Sequence, residues 1–194
     1  QQLTNIDALK LGYNWSPNSV DIAFSSSDDK LRKLNVNTKQ ITELDSSRYG
    51  NIGSPVWSPD GLRVAFASFR KGDGGIYEKK AGGVGEESAL LDSPDNEYPQ
   101  AWSKDGRFLA YVKQTGSKWG IYILPLFGER KPFPIDESPG NQWRPSFSFD
   151  GKWLAYSSDV SGTMQVYLIS FPAADQERQV SNYGGSEPRW RRDG

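Results

Sequence analysis

Neither cysteine nor histidine occurs among the 194 residues. Without cysteine the chain can form no disulfide, no zinc–thiolate site and no thiol nucleophile. Without histidine it lacks the commonest general base and the commonest transition-metal ligand, and a Ser–His–Asp triad cannot be assembled. No Gly-x-Ser-x-Gly elbow is present either. Charge is short of a surplus: 23 Lys and Arg against 24 Asp and Glu give a net charge of −1. No global field therefore recruits nucleic acid or an anionic membrane. No apolar run approaches the about 18 residues of a membrane-spanning helix. The start, Gln1-Gln2-Leu3-Thr4, shows no basic segment leading into an apolar stretch. The expectation is a chain without metal or cofactor, in a compartment that composition leaves open.

What the chain does have is a tryptophan–turn unit at nearly constant spacing. It reads Trp57-Ser58-Pro59-Asp60-Gly61, Trp102-Ser103-Lys104-Asp105-Gly106, Phe147-Ser148-Phe149-Asp150-Gly151 and Trp190-Arg191-Arg192-Asp193-Gly194. An eroded copy, Trp15-Ser16-Pro17-Asn18-Ser19, precedes them, and the aromatic positions are 42, 45, 45 and 43 residues apart. Repeats of that length built from strand-like segments are the signature of β-propeller blades. Neighbouring repeats must share a core, so 1–194 is expected to be one continuous array.

Eight residues past each of the first four aromatics stands Ala23, Ala65, Ala110 or Ala155, flanked by an aliphatic (Ile22, Val64, Leu109, Leu154) and an aromatic (Phe24, Phe66, Tyr111, Tyr156). Eleven residues beyond that second aromatic come Tyr77, Tyr122 and Tyr167; the first unit has Asn35 there, after Leu34. The period of two belongs to strands, with the alanine on the face that lets a neighbouring sheet approach. Asp-Gly supplies a hairpin in which glycine takes the φ > 0 position. The prediction is an all-β propeller of four-stranded antiparallel blades near 11–45, 53–92, 98–134 and 144–181. An orphan outer strand at 1–4 and an orphan inner strand at 186–194 would flank them, as in a fragment of a longer propeller. The first blade's turn, lacking Asp-Gly, is the weakest.

Pro55-Val56-Trp57-Ser58-Pro59-Asp60-Gly61 with Val64-Ala65-Phe66 and Ile76-Tyr77 resembles the hallmark of the TolB-like β-propellers, akin to the WD-repeat propellers. Residues 1–60 are similar to propellers attached to tricorn-type peptidases. Residues 100–194, with Leu124 to Pro134 and Glu187 to Gly194, are more similar to propellers of bacterial membrane-anchored serine/threonine kinases. The resemblance implies a bacterial, extracytoplasmic setting and a surface that binds protein or peptide. Neither catalytic domain is in the chain.

Repetition itself decides how the candidate residues read. Asp60, Asp105, Asp150 and Asp193 recur like ligands, yet aspartate in such turns accepts backbone N–H groups, and an active site is rarely copied into every blade. The Trp series is expected to pack between blades rather than stack bases or sugars. That expectation also discounts the sequon Asn14-Trp15-Ser16. Tyr13, Trp119 and Trp143 lie outside the series and are the candidates for exposed aromatic contacts. Two basic groups, Lys30/Arg32/Lys33 and Arg189/Arg191/Arg192, read as solvated surface, as do Asp28-Asp29 and Glu86-Glu87, which lack cation-loop spacing. The glycines at 72–75 and 82–85 lack phosphate-loop context.

Residues just before each inner strand face one end of a propeller's channel. This places Gly53, Ser54, Glu97, Tyr98, Gln142, Arg144, Ser186 and Glu187 at the mouth, with Glu97, Tyr98, Gln142, Arg144 and Glu187 as the expected partner contacts. The function these features imply is a non-catalytic scaffold or interaction module for a protein or peptide, with no nucleic acid and no membrane contact. It would close by pairing its terminal strands or by associating as a homodimer with shared blades. The alternatives are a substrate-gating propeller of a peptidase or other hydrolase, and a ligand-sensing propeller of a kinase.

Overall fold

The structure, a computed structural model, describes residues 10–46, 52–69 and 74–191. The expected outer strand at 1–4, Gly72, and the final Arg192-Asp193-Gly194 lie outside the described residues. Every regular element among them is a strand, and the strands form four antiparallel four-stranded sheets, each built from consecutive segments. The first blade comprises β1 (Lys10–Trp15), β2 (Asp21–Ser26), β3 (Lys30–Asn35) and β4 (Ile41–Ser46). The second comprises β5 (Ile52–Trp57), β6 (Arg63–Ser68), β7 (Gly75–Lys80) and β8 (Ser88–Asp92). The third comprises β9 (Asn96–Trp102), β10 (Phe108–Thr115), β11 (Lys118–Pro125) and the two-residue β12 (Phe133–Pro134). The fourth comprises β13 (Gln142–Phe147), β14 (Trp153–Ser158), β15 (Gln165–Ser170) and β16 (Glu177–Gln179). This is an all-β propeller of four-stranded blades.

The chain divides into two compact units at Pro99/Gln100. The core of the first joins Ala23, Leu31 and Leu44 of its first blade to Ile52, Trp57, Val64, Phe66 and Tyr77 of its second. The second unit packs Ala110, Val112, Ile121 and Ile123 against Leu154, Tyr156, Tyr167 and Ile169. The flanking alanines are fully or nearly fully buried, as the close approach of sheets requires. In three blades the paired central strands place two aromatic rings directly opposite each other: Phe66 with Tyr77, Tyr111 with Tyr122, and Tyr156 with Tyr167. Ring centroids stand 6.3, 5.8 and 5.8 Å apart, the cross-strand contact that stabilises a sheet face.

The first blade departs from the expected alignment. Phe24 lies opposite Arg32, not Asn35, and Leu31 rather than Leu34 takes the aliphatic place. Its central hairpin is three residues shorter, with eight residues from Phe24 to the opposite Arg32 against eleven from Phe66 to Tyr77. Arg32 consequently occupies a tyrosine's position and is buried at 9% exposure. Its guanidinium donates to Asp28 Oδ1 at 2.8 Å, to Asp28 Oδ2 and to the hydroxyl of Ser26. That two-toothed contact holds the Asp28 carboxyl well below the usual carboxylate range and raises the guanidinium. Arg32 and Asp28 are therefore a structural ion pair rather than solvated surface. The other two cations of the group are also occupied: Lys30 pairs with Glu43 at 2.7 Å, and Lys33 donates to the carbonyl of Ala81 at 2.8 Å.

In four of the five copies the turn is held by a serine, a residue whose role the repeat pattern alone does not disclose. The hydroxyls of Ser58, Ser103 and Ser148 donate to Oδ1 of Asp60, Asp105 and Asp150 at 2.5, 2.6 and 2.6 Å. Each hydroxyl also accepts the backbone N–H five residues on, from Arg63, Phe108 and Trp153, at 2.9 to 3.0 Å. The aspartate in turn accepts from the N–H two residues on. Gly61, Gly106 and Gly151 take φ of 72°, 75° and 70°. In the eroded copy Asn18 replaces the aspartate, accepting from Ser16 at 2.7 Å and from Val20 N–H at 3.1 Å, while Ser19 adopts φ 59°. The first blade thus keeps its turn, at the cost of a non-glycine residue in the left-handed region.

Candidate interaction site

Three of the residues expected at the channel mouth share an unusual backbone. Ser54, Arg144 and Glu187 have φ of 50°, 56° and 56°, each stands three residues before its repeat aromatic, and each precedes a proline. A residue before proline is driven toward extended conformations, so a left-handed one there is held by its surroundings. In β5 the pairing register shifts between Gly53 and Val56, and in β13 between Trp143 and Ser146. These are bulges, which bend the strand and re-aim a side chain. The backbone N–H of Glu187 is fixed by donation to the hydroxyl of Ser157 at 3.1 Å.

In the second unit this geometry brings Arg144 and Glu187 together. A guanidinium nitrogen lies 3.3 Å from Glu187 Oε1, with the two side chains 52% and 57% exposed. An exposed pair of this kind contributes about 0–1 kcal/mol. It opens easily, and either charge can take a new partner.

Gln142 lies elsewhere in the network. It is buried, accepts the backbone N–H of Ile121 at 3.0 Å and donates to Asp136 Oδ1 at 2.6 Å. Asp136 also receives the N–H of Ser138 at 2.7 Å, and its Oδ2 is 3.1 Å from the hydroxyl of Tyr156, which contacts Glu177 as well. Burial, together with these two carboxylates, pushes the Tyr156 phenol far up and keeps it neutral. In the first unit Glu97 is buried at 1% exposure, and Tyr98 is half-buried with its ring 5.7 Å from that of Phe69. Burial raises the Tyr98 phenol.

The aromatic candidates separate differently from expectation. Trp57 is buried at 5% exposure, and its indole N–H donates to the carbonyl of Asn14 at 3.1 Å while its backbone N–H reaches Asn14 Oδ1 at 3.0 Å. Trp190 repeats the indole bond to the carbonyl of Ser146 at 2.8 Å. Trp102 donates within its own turn, to Gly106 at 3.2 Å. Trp15 is not core: it is 48% exposed, because among the described residues the first unit has no blade on that face of β1. Tyr13 beside it is 72% exposed, as expected. Trp119 and Trp143 are instead partly buried against the core of the second unit.

No group of three or more acidic side chains converges as a metal site would need among the described residues. No helix there is long and apolar enough to cross a membrane.

In fold the chain is similar to TolB propellers. It superposes on a TolB from Agrobacterium tumefaciens with a TM-score of 0.83 and 21% identity, covering 97% of this chain and 68% of that one. It matches a prolyl endopeptidase with a TM-score of 0.67 and 15% identity, over 90% of this chain and 29% of the enzyme. It matches a chain of the nidogen/laminin complex with a TM-score of 0.73 and 9% identity, over 91% of this chain and 66% of that one. No protein-family model matches the sequence, and no curated protein matches it closely. At these identities the likeness is one of fold, a TolB-like β-propeller.

Proposed function

We propose that the chain is a non-catalytic interaction scaffold that takes a peptide segment of a protein partner at the exposed Arg144–Glu187 pair of the second unit. One observation carries this reading: the same left-handed, pre-proline backbone recurs at Ser54, Arg144 and Glu187, and in the second unit it presents an exposed, loosely held charge pair. Strain is kept where it serves a contact. A peptide bearing a carboxylate can take Arg144, and one bearing an ammonium group can take Glu187, at little cost to the protein. That one structural match is a chain of a two-protein complex is consistent with such a role. The scaffold would also associate with another copy of the chain.

A second reading, the substrate-gating propeller of a peptidase, draws on the prolyl endopeptidase match. The two separate by experiment. Peptides selected for binding to the chain should shift the NMR resonances around Arg144 and Glu187, and peptide and ester hydrolysis by the chain should be flat. Hydrolysis lost on substituting a mouth residue would overturn the non-catalytic assignment.

A further inference from the structure

The chain shows twice what covers a blade face that carries a repeat tryptophan. Trp57 lies on the first blade and Trp190 on the fourth, each donating its indole N–H to the carbonyl one residue before the preceding aromatic, Asn14 and Ser146. By the same repeat, Trp15 faces away from the second blade, toward an inner strand that should offer it a carbonyl. Its indole has no hydrogen-bond partner among the described residues, and with Tyr13 it leaves two large aromatics open to solvent on one strand. Adjacent exposed aromatics of this size are the makings of an interface anchor.

The segment 186–191 supplies a matching acceptor. It docks on the fourth blade through Glu187 N–H and the Trp190 indole, without forming a strand of its own. The carbonyl one residue before its aromatic belongs to Arg189, which is exposed. It stands where Asn14 and Ser146 stand in the two observed contacts.

We infer that the Tyr13–Trp15 face is a docking site for segment 186–191 of a second copy of this chain, with the Trp15 indole donating to the Arg189 carbonyl. This rests on the reading that the scaffold associates with its own kind, and it makes that association head-to-tail. A contact between two different surfaces closes only where its rotation returns to the first copy, and a reciprocal pair of copies is the smallest closed form, the one expected here.

The test uses sedimentation equilibrium on the full chain together with cross-linking. The wild type should give twice the 21.7 kDa chain mass at micromolar concentration. Trp15→Ala should weaken the dimer by about thirtyfold or more, as loss of a hot-spot aromatic does. Trp15→Phe, which keeps the ring and drops the donor, should weaken it about fivefold. Leu62→Ala, at an exposed position on a turn, should leave it unchanged. Because the chain has no cysteine, Tyr13→Cys and Arg189→Cys give single thiols. A disulfide-linked dimer should form in the mixture of the two variants and not in either alone.

A wild type that stays monomeric overturns both this inference and the self-association beneath it. A dimer that is indifferent to Trp15→Ala, or a disulfide-linked dimer that forms from the Tyr13→Cys variant alone, overturns the head-to-tail contact and leaves self-association standing. If Trp15→Ala fails to fold, the Trp15→Phe affinity and the mixed cross-link still decide.

Discussion

The hydroxyl of Ser148 donates to Asp150 Oδ1 at 2.6 Å and at the same time accepts the backbone N–H of Trp153 at 3.0 Å. One small side chain thereby ties the turn aspartate to the start of the next strand. The same bond set recurs at Ser16, Ser58 and Ser103. The fifth copy has Arg191 at this place and cannot form it. Ser148→Ala removes a buried donor and leaves the N–H of Trp153 without its acceptor, so it should lower stability by about 1–3 kcal/mol. Urea denaturation of the variant against the wild type checks this. Unchanged stability would mean the serine is only a passenger.

The turn aspartates also set a pH dependence. Serine hydroxyl and backbone N–H donors hold Asp60 and Asp150 below the ordinary carboxylate range. For Asp105, burial pushes upward but is outweighed by Ser103 and the Arg107 N–H. A carboxyl whose value is depressed in the folded state stabilises fully above its unfolded value, about 3.9. That contribution is lost as pH falls through the lowered folded value. The urea midpoint should therefore be flat near neutrality and fall below about pH 4. Asp60→Asn should flatten that fall, as measured by denaturation at a series of pH values.

Trp57→Phe should separate packing from hydrogen bonding between the first two blades. It keeps most of the buried ring and drops the bond to the Asn14 carbonyl, for an expected loss of about 1 kcal/mol. Trp57→Ala also opens a cavity and should cost about 3–5 kcal/mol. The difference between the two denaturation curves measures how much of the blade contact is packing.

Gly106 takes φ 75° to close its turn. Alanine there meets the Cβ penalty of the left-handed region, so Gly106→Ala should cost about 1–2 kcal/mol. Gly82, with open space around its Cβ direction and no left-handed φ, serves as the control, and Gly82→Ala should be near neutral. Thermal unfolding of the two variants side by side makes the comparison.

The blades were legible because their signals are local and repeated. The tryptophan turn, the aliphatic–Ala–aromatic triplet and the Ile-Tyr strand each fix a strand and its facing side. The first blade's central pairing was not legible. Counting a constant spacing set Asn35 at the tyrosine position, whereas the shorter hairpin brings Arg32 opposite Phe24, and hairpin length leaves no mark in a strand's own periodicity. Trp15 read as core by repetition, but burial depends on a neighbouring blade and not on the residue. The serines were visible at four of five copies, and only their hydrogen bonds show why they recur. At the mouth, position alone grouped Gln142 with Arg144, although alternate residues of a bulged strand face different surroundings: Gln142 turns inward to Ile121 and Asp136, and Arg144 turns out to Glu187.

The central claim is that the chain binds a partner through the Arg144–Glu187 pair of the second unit. Isothermal titration of a peptide selected against the chain, compared with Arg144→Ala and Glu187→Ala, tests it most directly. One of the two substitutions, chosen by the sign of the peptide's charged group, should weaken binding by about tenfold, while the melting temperature holds because an exposed pair adds little stability. Binding that is the same in both variants and the wild type would contradict the account.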